Sequence, residues 1–177
     1  MKKEILEWVK TIILSVLIAL IITTFVKPTI VRQYSMMPTL NEYDFLLINR
    51  FLYNRGTPQH GDIVVYESSL KTNLGRNKLL IKRVIAVPGD ELLIQDGYVY
   101  LNGALLDEDY IAEKYTEGKD FEDTPIIIPE GMIFTMGDNR FHSMDSRDTA
   151  IGLVLIDDIV GKAFLRLYPF NKIGRLN

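Results

Sequence analysis

A serine followed closely by a proline is the first residue whose setting could support chemistry. Ser35 opens the stretch Ser-Met-Met-Pro-Thr-Leu, shortly after Lys27. Proline restricts the conformation of the residue before it, so Pro38 predicts a turn just after Ser35. A hydroxyl held by such a turn can be presented outward as a nucleophile. Taken alone, the same pattern also fits a serine that only caps a local turn.

A lysine inside an apolar run is the second candidate. The run Leu79 to Val87 is typical of a β-strand, whose side chains alternate between two faces. Apolar neighbours would dehydrate Lys82, which disfavours its charged form and lowers its pKa. A base working near neutral pH needs a pKa of roughly 7–8 instead of ~10.4. An exposed strand lysine remains the simpler interpretation of this position alone. The alternation puts Lys82 on one face with Leu80, Val84 and Ala86, and Arg83 on the other.

The third candidate is a polar loop, Gly137 to Arg147, with the sequence GDNRFHSMDSR. Its side chains are of the kinds that bond to backbone and to each other, as a rigid polar loop requires. Asp145 and Arg147 could form an ion pair, and Ser143 could offer a hydroxyl to a neutral amine. By itself, an ordinary turn between strands is the simpler interpretation of this segment.

The content of cysteine and histidine limits the chemistry. The chain has no cysteine and two histidines. It therefore has no disulfides, no cysteine nucleophile and no cysteine-ligated metal, and it has too few ligands for a dedicated zinc site. We expect no metal and no cofactor. His60 and His142 keep a Ser-His-Asp hydrolase open as an alternative, although both lie in polar segments typical of surface residues.

Charge is distributed unevenly along the chain. The net charge is −3, which argues against nucleic acid as a partner. Residues 1–32 contain five basic and two acidic side chains, a net +3, so residues 33–177 carry −6. A basic amino-terminal arm on an acidic body indicates an anchor attached to a soluble domain.

An uncharged apolar run predicts a membrane helix. It extends from Thr11 to Val26 and, with Trp8 at its edge, approaches the ~20 residues that a bilayer span needs. A buried core helix would show a polar face, and this run shows none. A cleaved signal peptide would need small residues at its end, where the chain has Phe25 and Val26. We therefore predict a retained signal-anchor. Basic residues on both flanks leave its orientation open.

The body from Pro28 onward has the pattern of an antiparallel β domain. Asp96-Gly97 between two short apolar runs is a strong hairpin signal, and Pro88-Gly89-Asp90 predicts a turn. The acidic segment 106–123 is expected to be a loop or a short extension over the surface. Strands are expected at residues 63–66, 79–87, 91–94, 98–101, 126–128, 133–136 and 159–167.

The three stretches, in this order and after a single membrane segment, resemble those of type I signal peptidases. The resemblance covers residues 2–167 and is closest to the short, single-anchor forms typical of Gram-positive bacteria. It implies a membrane-bound serine endopeptidase that removes signal peptides from exported preproteins after small residues, in an Ala-x-Ala-like pattern. Residues 1–27 would be a cytoplasmic stub and membrane helix. Residues 28–177 would be an extracytoplasmic catalytic domain, an antiparallel sheet or partly open barrel. Its partners would be signal peptides, the lipid bilayer and the translocation machinery.

The resemblance also assigns roles to the residues of the three stretches. Ser35 would be the nucleophile, and its backbone N–H would form half of the oxyanion hole. Lys82 would be the general base. Ser143 would hydrogen-bond and orient Lys82, while Asp145 and Arg147 would form an ion pair that supports the loop.

One position departs from the family pattern. Two positions before the nucleophile the family usually has Ser or Gly, and this chain has Gln33. Its amide could replace the second oxyanion donor or crowd the site, which keeps a catalytically impaired binding or regulatory paralogue open as an alternative. A bound peptide would pair with strand edges near Val31 and Ile81. Met36 and Ile81 would be walls of the pocket nearest the cut.

Soluble self-cleaving repressors with a Ser–Lys pair are a further alternative of related fold. They usually carry a DNA-binding module ahead of the protease domain. In this chain the membrane segment occupies that place, and the body is acidic rather than basic. This alternative is therefore disfavoured.

Overall fold

One long apolar helix precedes the β domain. The structure, a computed structural model, describes residues 2–51 and 56–176. Helix α1 spans Lys2–Phe25, which at 1.5 Å per residue is about 36 Å, longer than the ~30 Å hydrocarbon core of a bilayer. It is the one helix in the described residues that is long and apolar enough to cross a membrane. Its described side chains are exposed all round, so it is no core helix of the β domain.

The hydroxyl side chains of α1 are hydrogen-bonded within the helix. Four hydroxyls donate to main-chain carbonyl oxygens one turn earlier, at 2.7 to 3.0 Å. A bilayer offers no water for such groups, so internal pairing is what a membrane helix requires. The donors are Thr11, Ser15, Thr23 and Thr24.

The first strand begins earlier than the domain boundary expected after Lys27. α1 ends at Phe25, and Val26 and Lys27 already pair with Asn49 and Ile48 in a β-ladder. The chain therefore passes from the helix into the sheet without a linker.

Twelve strands and four short 3₁₀-helices follow α1 in the described residues. The strands are β1 Val26–Ile30, β2 Phe45–Asn49, β3 Ile63–Lys71, β4 Asn77–Ala86, β5 Glu91–Gln95, β6 Tyr98–Leu101, β7 Ala104–Leu105, β8 Ile126–Ile127, β9 Met132–Met136, β10 Val154–Leu155, β11 Ile159–Tyr168 and β12 Gly174–Arg175. The 3₁₀-helices are Lys119–Phe121, Arg140–His142, Ile156–Asp158 and Phe170–Lys172.

The strands form two antiparallel sheets. The larger has the order β1-β2-β11-β3-β4-β9-β10, with β12 added to β11, and the smaller has the order β7-β6-β5-β8. The larger sheet is open, with β1 and β10 at its edges. The mainly antiparallel β architecture predicted from the sequence is confirmed, and every predicted strand overlaps an observed one. Asp96 and Gly97 have φ of 52° and 81°, as the β5–β6 hairpin turn requires.

The alternation predicted for β4 holds only as far as Val84. Leu80 and Val84 pack in one buried cluster, as expected for a shared face. Ala86 packs instead with Ile85 in a second cluster, between β9 and the smaller sheet. The cause is a register shift against β9 between Val84 and Ala86, which breaks the period of two.

A third buried cluster lies under the start of the β domain. It contains Val31, Met36, Leu40, Leu46 and Ala163, each at most 2% exposed. This cluster supports the segment between β1 and β2, which carries Ser35, while the cluster around Val84 supports the strand that carries Lys82. The turn that carries Ser35 and the strand that carries Lys82 therefore rest on two different buried clusters.

Candidate active site

Ser35 and Lys82 are brought into direct contact. The Nζ of Lys82 donates to the Oγ of Ser35 at 2.7 Å, and the same Nζ donates to the carbonyl oxygen of Ile81 at 3.1 Å. Ser35 is 5% exposed and Lys82 is 1% exposed. A buried hydroxyl paired with a buried amine can lose its proton to that amine when the amine is neutral.

The fold makes neutrality of Lys82 accessible near physiological pH. Burial, the largest influence, lowers the pKa of Lys82 from its ordinary value to about 8. The negative charge of Asp145 raises this pKa, and the positive charge of Lys78 lowers it. This pKa lies at the upper end of the range of roughly 7–8 that a base working near neutral pH needs, so the amine can act as a base in mildly alkaline conditions.

Ser35 lies on a turn that is held by main-chain hydrogen bonds and by two buried side chains. The Met37 N–H donates to the Tyr34 carbonyl at 3.1 Å, and the Leu40 N–H donates to the Met36 carbonyl at 2.8 Å. Met36 and Leu40 are both fully buried, and their side chains anchor the turn to the core. The peptide bond before Pro38 is cis. The turn predicted after Ser35 is confirmed.

Asn139 connects the polar loop 137–147 to the turn of Ser35 by hydrogen bonds. Its N–H donates to the Ser35 carbonyl at 3.1 Å, and its side-chain amide donates to the Tyr34 carbonyl at 3.3 Å. Its Oδ1 accepts from the N–H of His142. Sequence reasoning did not single out Asn139, and its place in the polar loop was the only signal for it.

Gly137 permits the close approach of these two segments. A Cβ at this position would lie 2.3 Å from the Ser35 carbonyl oxygen and 2.3 Å from the Oγ of Ser143. Any other residue would therefore force Ser35 and Ser143 to move. No pattern in the sequence indicates this requirement.

Ser143 does not make the hydrogen bond that was expected of it. Its side chain is buried, and its Oγ makes no hydrogen bond of good geometry among the described residues, although it lies near enough to Asp145 to help lower the pKa of that carboxyl. The Lys82 amine is engaged by Ser35 and by the Ile81 carbonyl instead. The Ser143 carbonyl accepts from the Nζ of Lys119 at 2.8 Å, which fixes the backbone of this residue. A buried hydroxyl without a partner is costly, so its position beside Ser35 calls for a role.

Asp145 and Arg147 form a fully buried ion pair. Arg147 Nε donates to Asp145 Oδ1 at 2.8 Å and Arg147 Nη2 to Asp145 Oδ2 at 2.9 Å. The same carboxylate accepts from the Gly137 N–H at 2.9 Å. Burial alone would raise the pKa of Asp145, but Arg147 and the Gly137 N–H hold it below its ordinary value. The contact foreseen from the sequence is present, and it ties the end of the loop to its beginning.

Two further buried ion pairs surround the site, and the sequence did not indicate either. Arg83 forms a bidentate pair with Asp138 at 2.8 and 2.9 Å, and its guanidinium lies 4.0 Å from the ring centre of Tyr110. Arg140 donates to Glu108 at 3.0 Å. Segment 106–123 thus lies against the polar loop as a cover. Asp138 and Arg140 belong to a recognisable motif, whereas no pattern marked Glu108 or Tyr110.

Two cavities lie beside the Ser35–Lys82 contact. The larger, of about 670 Å³, has both residues in its wall together with Met37, Asn139 and His142. The smaller, of about 250 Å³, is lined on opposite sides by residues 29–33 and 78–81. Four residues line both cavities, which makes them one continuous cleft. These are Arg32, Gln33, Lys78 and Leu80.

The expected substrate contacts fall in different places. Val31 and Ile81 line the smaller cavity. The prediction that Met36 forms a wall of the pocket is wrong, because Met36 lines neither cavity. It is fully buried in the core, where it anchors the turn. Met37 lines the larger cavity in its place. Gln33 is exposed at the junction of the two cavities.

The backbone N–H of Ser35 belongs to a residue that lines the larger cavity. Within residues 2–51 and 56–176 it has no hydrogen-bond acceptor. An unpaired N–H beside the nucleophile is the geometry that an oxyanion hole uses.

The histidines do not form a triad with Ser35. His60 Nε2 lies 2.6 Å from Asp90 Oδ2, in a pair remote in the sequence from Ser35. His142 lines the larger cavity. Neither imidazole makes a hydrogen bond with Ser35 in the part of the chain that the structure describes. The arrangement around Ser35 favours Lys82 over a histidine as its partner.

Comparisons with known proteins identify the family. A model of the family "Signal peptidase, peptidase S26" matches residues 5–168. The chain is 37% identical to a signal peptidase I of Bacillus licheniformis, over 98% of this chain and 94% of that protein. It is 36% identical to signal peptidase I S of Bacillus subtilis strain 168, over 99% and 96%. A crystal structure of a signal peptidase I from Enterococcus faecalis V583 matches 60% of this chain and 97% of that chain, with a TM-score of 0.49 and 31% identity. The family match and the two full-length relatives assign this chain to the signal peptidase family, peptidase S26.

Proposed function

We propose that this protein is a membrane-bound serine endopeptidase that removes signal peptides from exported preproteins, cutting after small residues. Membership of the signal peptidase family supports the reaction. The observation that carries the assignment of residues is the 2.7 Å contact between Ser35 Oγ and Lys82 Nζ in a buried setting.

The proposed reaction uses Lys82 as the base and then as the acid. Neutral Lys82 takes the proton of the Ser35 hydroxyl while Oγ attacks the carbonyl carbon of the scissile bond. The resulting ammonium gives that proton to the leaving amine, and an acyl-enzyme on Ser35 remains. Water then attacks the ester while Lys82 accepts its proton, and the ammonium passes that proton to the departing Ser35 Oγ as the signal peptide is released as a carboxylate.

The negative oxygen of each tetrahedral intermediate needs donors in the cleft. The Ser35 N–H, which has no acceptor among the described residues, is the first. We assign the second to the amide of Gln33, which is exposed at the same cleft. Each such donor contributes about 3–4 kcal/mol to stabilising the transition state.

Ser143, Asp145 and Arg147 act through the site rather than on the substrate. The buried ion pair fixes the loop and thereby the position of Gly137 against Ser35. The unpaired hydroxyl of Ser143 is suited to accept a hydrogen bond from Lys82 after the proton has left Ser35. Ser143 would then hold the lysine in place during acylation.

The preprotein binds as an added strand. β4 pairs with β3 along residues 79–83, but it pairs with β9 only from Arg83 onward. The second edge of residues 79–82 therefore pairs with no described strand and can accept an extended peptide. Side chains of such a peptide alternate, so those directed at the cavity of about 250 Å³ near Val31 and Ile81 must be small.

The domain arrangement follows from this chemistry. Residues 1–27 form a cytoplasmic stub and membrane anchor, and residues 28–177 form the catalytic domain on the opposite, extracytoplasmic face, where preproteins emerge. The β domain begins at the end of α1 without a linker, which holds the cleft near the bilayer surface. Contacts with the translocation machinery would bring preproteins to this face.

A cleavage assay tests the proposal. The full chain in detergent or lipid is incubated with a preprotein carrying an Ala-x-Ala site, alongside Ser35→Ala and Lys82→Ala. We expect cleavage at that site by the wild type and loss of at least about 10³-fold in both variants. A folded wild type that does not cleave would reject the proposal and favour a binding or regulatory role caused by Gln33. Rescue by Gln33→Gly would then identify this residue as the cause.

A further inference from the structure

A second, larger cavity lies at the carboxyl end of α1 and adjoins the catalytic cleft at Leu79. Its volume is about 1020 Å³, and its wall includes the last helical turns as well as strand ends of the β domain. It shares one lining residue, Leu79, with the smaller cavity of the catalytic cleft and none with the larger. We call it the juxtamembrane groove. Its lining residues are Leu20, Thr23, Thr24, Phe25, Lys27, Arg50, Phe51, Glu67, Arg76, Asn77, Leu79, Ile159 and Val160.

Strand topology gathers these residues at one end of the large sheet. The start of β1 pairs with the end of β2, where Val26 faces Asn49. Asn49 in turn faces Lys162, near the start of β11. β3 and β4 contribute from farther along the sheet, where Glu67 faces Leu79. Neighbouring strand ends thus converge beside the end of α1, where a membrane surface would lie.

The groove carries a surplus of positive charge. Lys27, Arg50 and Arg76 line it, and none of the three forms an ion pair within the described residues. Glu67 is the one acidic residue of the lining, and its carboxylate accepts a hydrogen bond from Asn77 at 3.3 Å. The groove therefore holds a net charge of +2 on a β domain that is acidic overall.

Apolar surface lies next to these cations. The rings of Phe25 and Phe51 meet edge to face at 5.4 Å between centroids. Phe25, Phe51 and Leu79 remain 41 to 45% exposed, and Leu20 of the helix is 59% exposed. Cations beside exposed aromatic rings at a helix end are the combination found at the polar boundary of a bilayer.

We propose that the juxtamembrane groove binds the headgroup of an anionic phospholipid. Lys27, Arg50 and Arg76 contact the phosphate and any further negative charge, while an acyl chain lies along α1 past Leu20. The inference rests on the proposal that α1 spans the membrane. Such a lipid would fix the height of the β domain on the bilayer and hence the distance between the membrane and the cleft.

Lipid selectivity measured on the full chain tests this inference without relying on catalysis. The protein is reconstituted in phosphatidylcholine membranes containing a trace of spin-labelled phosphatidylglycerol or spin-labelled phosphatidylcholine. The fraction of motionally restricted label then gives the relative association constant of each lipid. We expect a preference for phosphatidylglycerol of at least about fivefold, decreasing at high salt.

A charge-neutralised variant and a matched control localise the effect. Lys27→Gln, Arg50→Gln and Arg76→Gln together should reduce the preference to about one. The control removes three exposed cations that do not line the groove, by Lys114→Gln, Lys172→Gln and Arg175→Gln, and should keep the wild-type preference.

Two results of the association measurement would overturn the inference. One is equal association of both lipids with the wild type, and the other is a preference that survives in the triple groove variant. Displacement of the label by millimolar glycerophosphate would also overturn it, because the ligand would then be a soluble phosphate. None of these results bears on cleavage, which the Ser35→Ala comparison tests separately.

Discussion

The pH dependence of cleavage follows from the burial of a single amine. With a pKa of about 8, Lys82 is neutral in roughly one-hundredth of molecules at pH 6, one-tenth at pH 7 and nine-tenths at pH 9. If neutral Lys82 is the base, kcat/KM should rise about 90-fold between pH 6 and pH 9 and level off above it. At the ordinary pKa of ~10.4 the neutral fraction at pH 7 would be roughly 200-fold smaller. Burial therefore makes the proposed reaction practicable near neutrality.

The assay measures kcat/KM of the full chain in detergent micelles with an internally quenched peptide that has no titratable side chains. The pH runs from 5 to 10 at constant ionic strength, with Ser35→Ala as the blank. Lys78→Gln provides an internal check, because the charge of Lys78 lowers the pKa of Lys82 and its removal should move the midpoint upward. Lys172→Gln, at an exposed position outside the cleft, should leave the midpoint unchanged.

Two outcomes would refute this reasoning. A kcat/KM that stays constant down to pH 5 would show that no lysine with a pKa near 8 acts as the base. A midpoint near pH 6.5 that disappears in the double variant His60→Ala and His142→Ala would assign the titration to a histidine. Survival of the midpoint near pH 8 in that double variant would exclude the triad alternative.

Three further predictions concern the residues around the dyad. Asp145→Asn leaves the buried charge of Arg147 without its partner, so the free energy of unfolding should fall by about 3–5 kcal/mol, and the cleavage rate should fall with it. Denaturant titration and the cleavage assay measure the two effects. A variant as stable and as active as the wild type would contradict the supporting role. Gly137→Ala places a methyl group against Ser35 and Ser143, so kcat/KM should fall by about 10²-fold or more, while Gly174→Ala, which meets no neighbour, should have no effect. Gln33→Gly should lower kcat by about 10²-fold with no change in thermal stability, because Gln33 is exposed and its amide is the proposed oxyanion donor. A rise in kcat would instead mean that Gln33 crowds the site.

Local patterns in the sequence were sufficient for the long helix and for seven of the twelve described strands, but they did not predict β1, β2, β7, β10 or β12. An uncharged apolar run predicts α1 because its residues need a nonpolar environment along their whole length. The Asp96-Gly97 pair predicts the β5–β6 hairpin because both positions must adopt positive φ. Such signals depend on neighbours within a few residues, and they carry over to the structure. The end of α1 was placed two residues late, because Val26 and Lys27 are recruited into the ladder with β2.

The candidate residues could be selected from the sequence, but their contacts could not be derived from it. Ser35 and Lys82 stand 47 positions apart, and only the order of three motifs indicated that they meet. Met36 and Met37 are adjacent and chemically identical. The turn buries Met36 as an anchor and leaves Met37 to line the cleft. The direction of a side chain on a turn is set by the core beneath it, which composition does not reveal.

The sequence by itself determined the membrane-type helix, seven of the twelve described strands and the choice of Ser35 and Lys82 as the candidate nucleophile and base. Only the tertiary structure decided that Ser143 has no partner, that Asn139 and Gly137 connect the loop to Ser35, and that Arg83 and Arg140 find carboxylates. The reason is physical. Hydrophobic period and turn chemistry act over a few residues, whereas hydrogen bonds and ion pairs form between groups that the packing of distant strands has brought within about 3 Å.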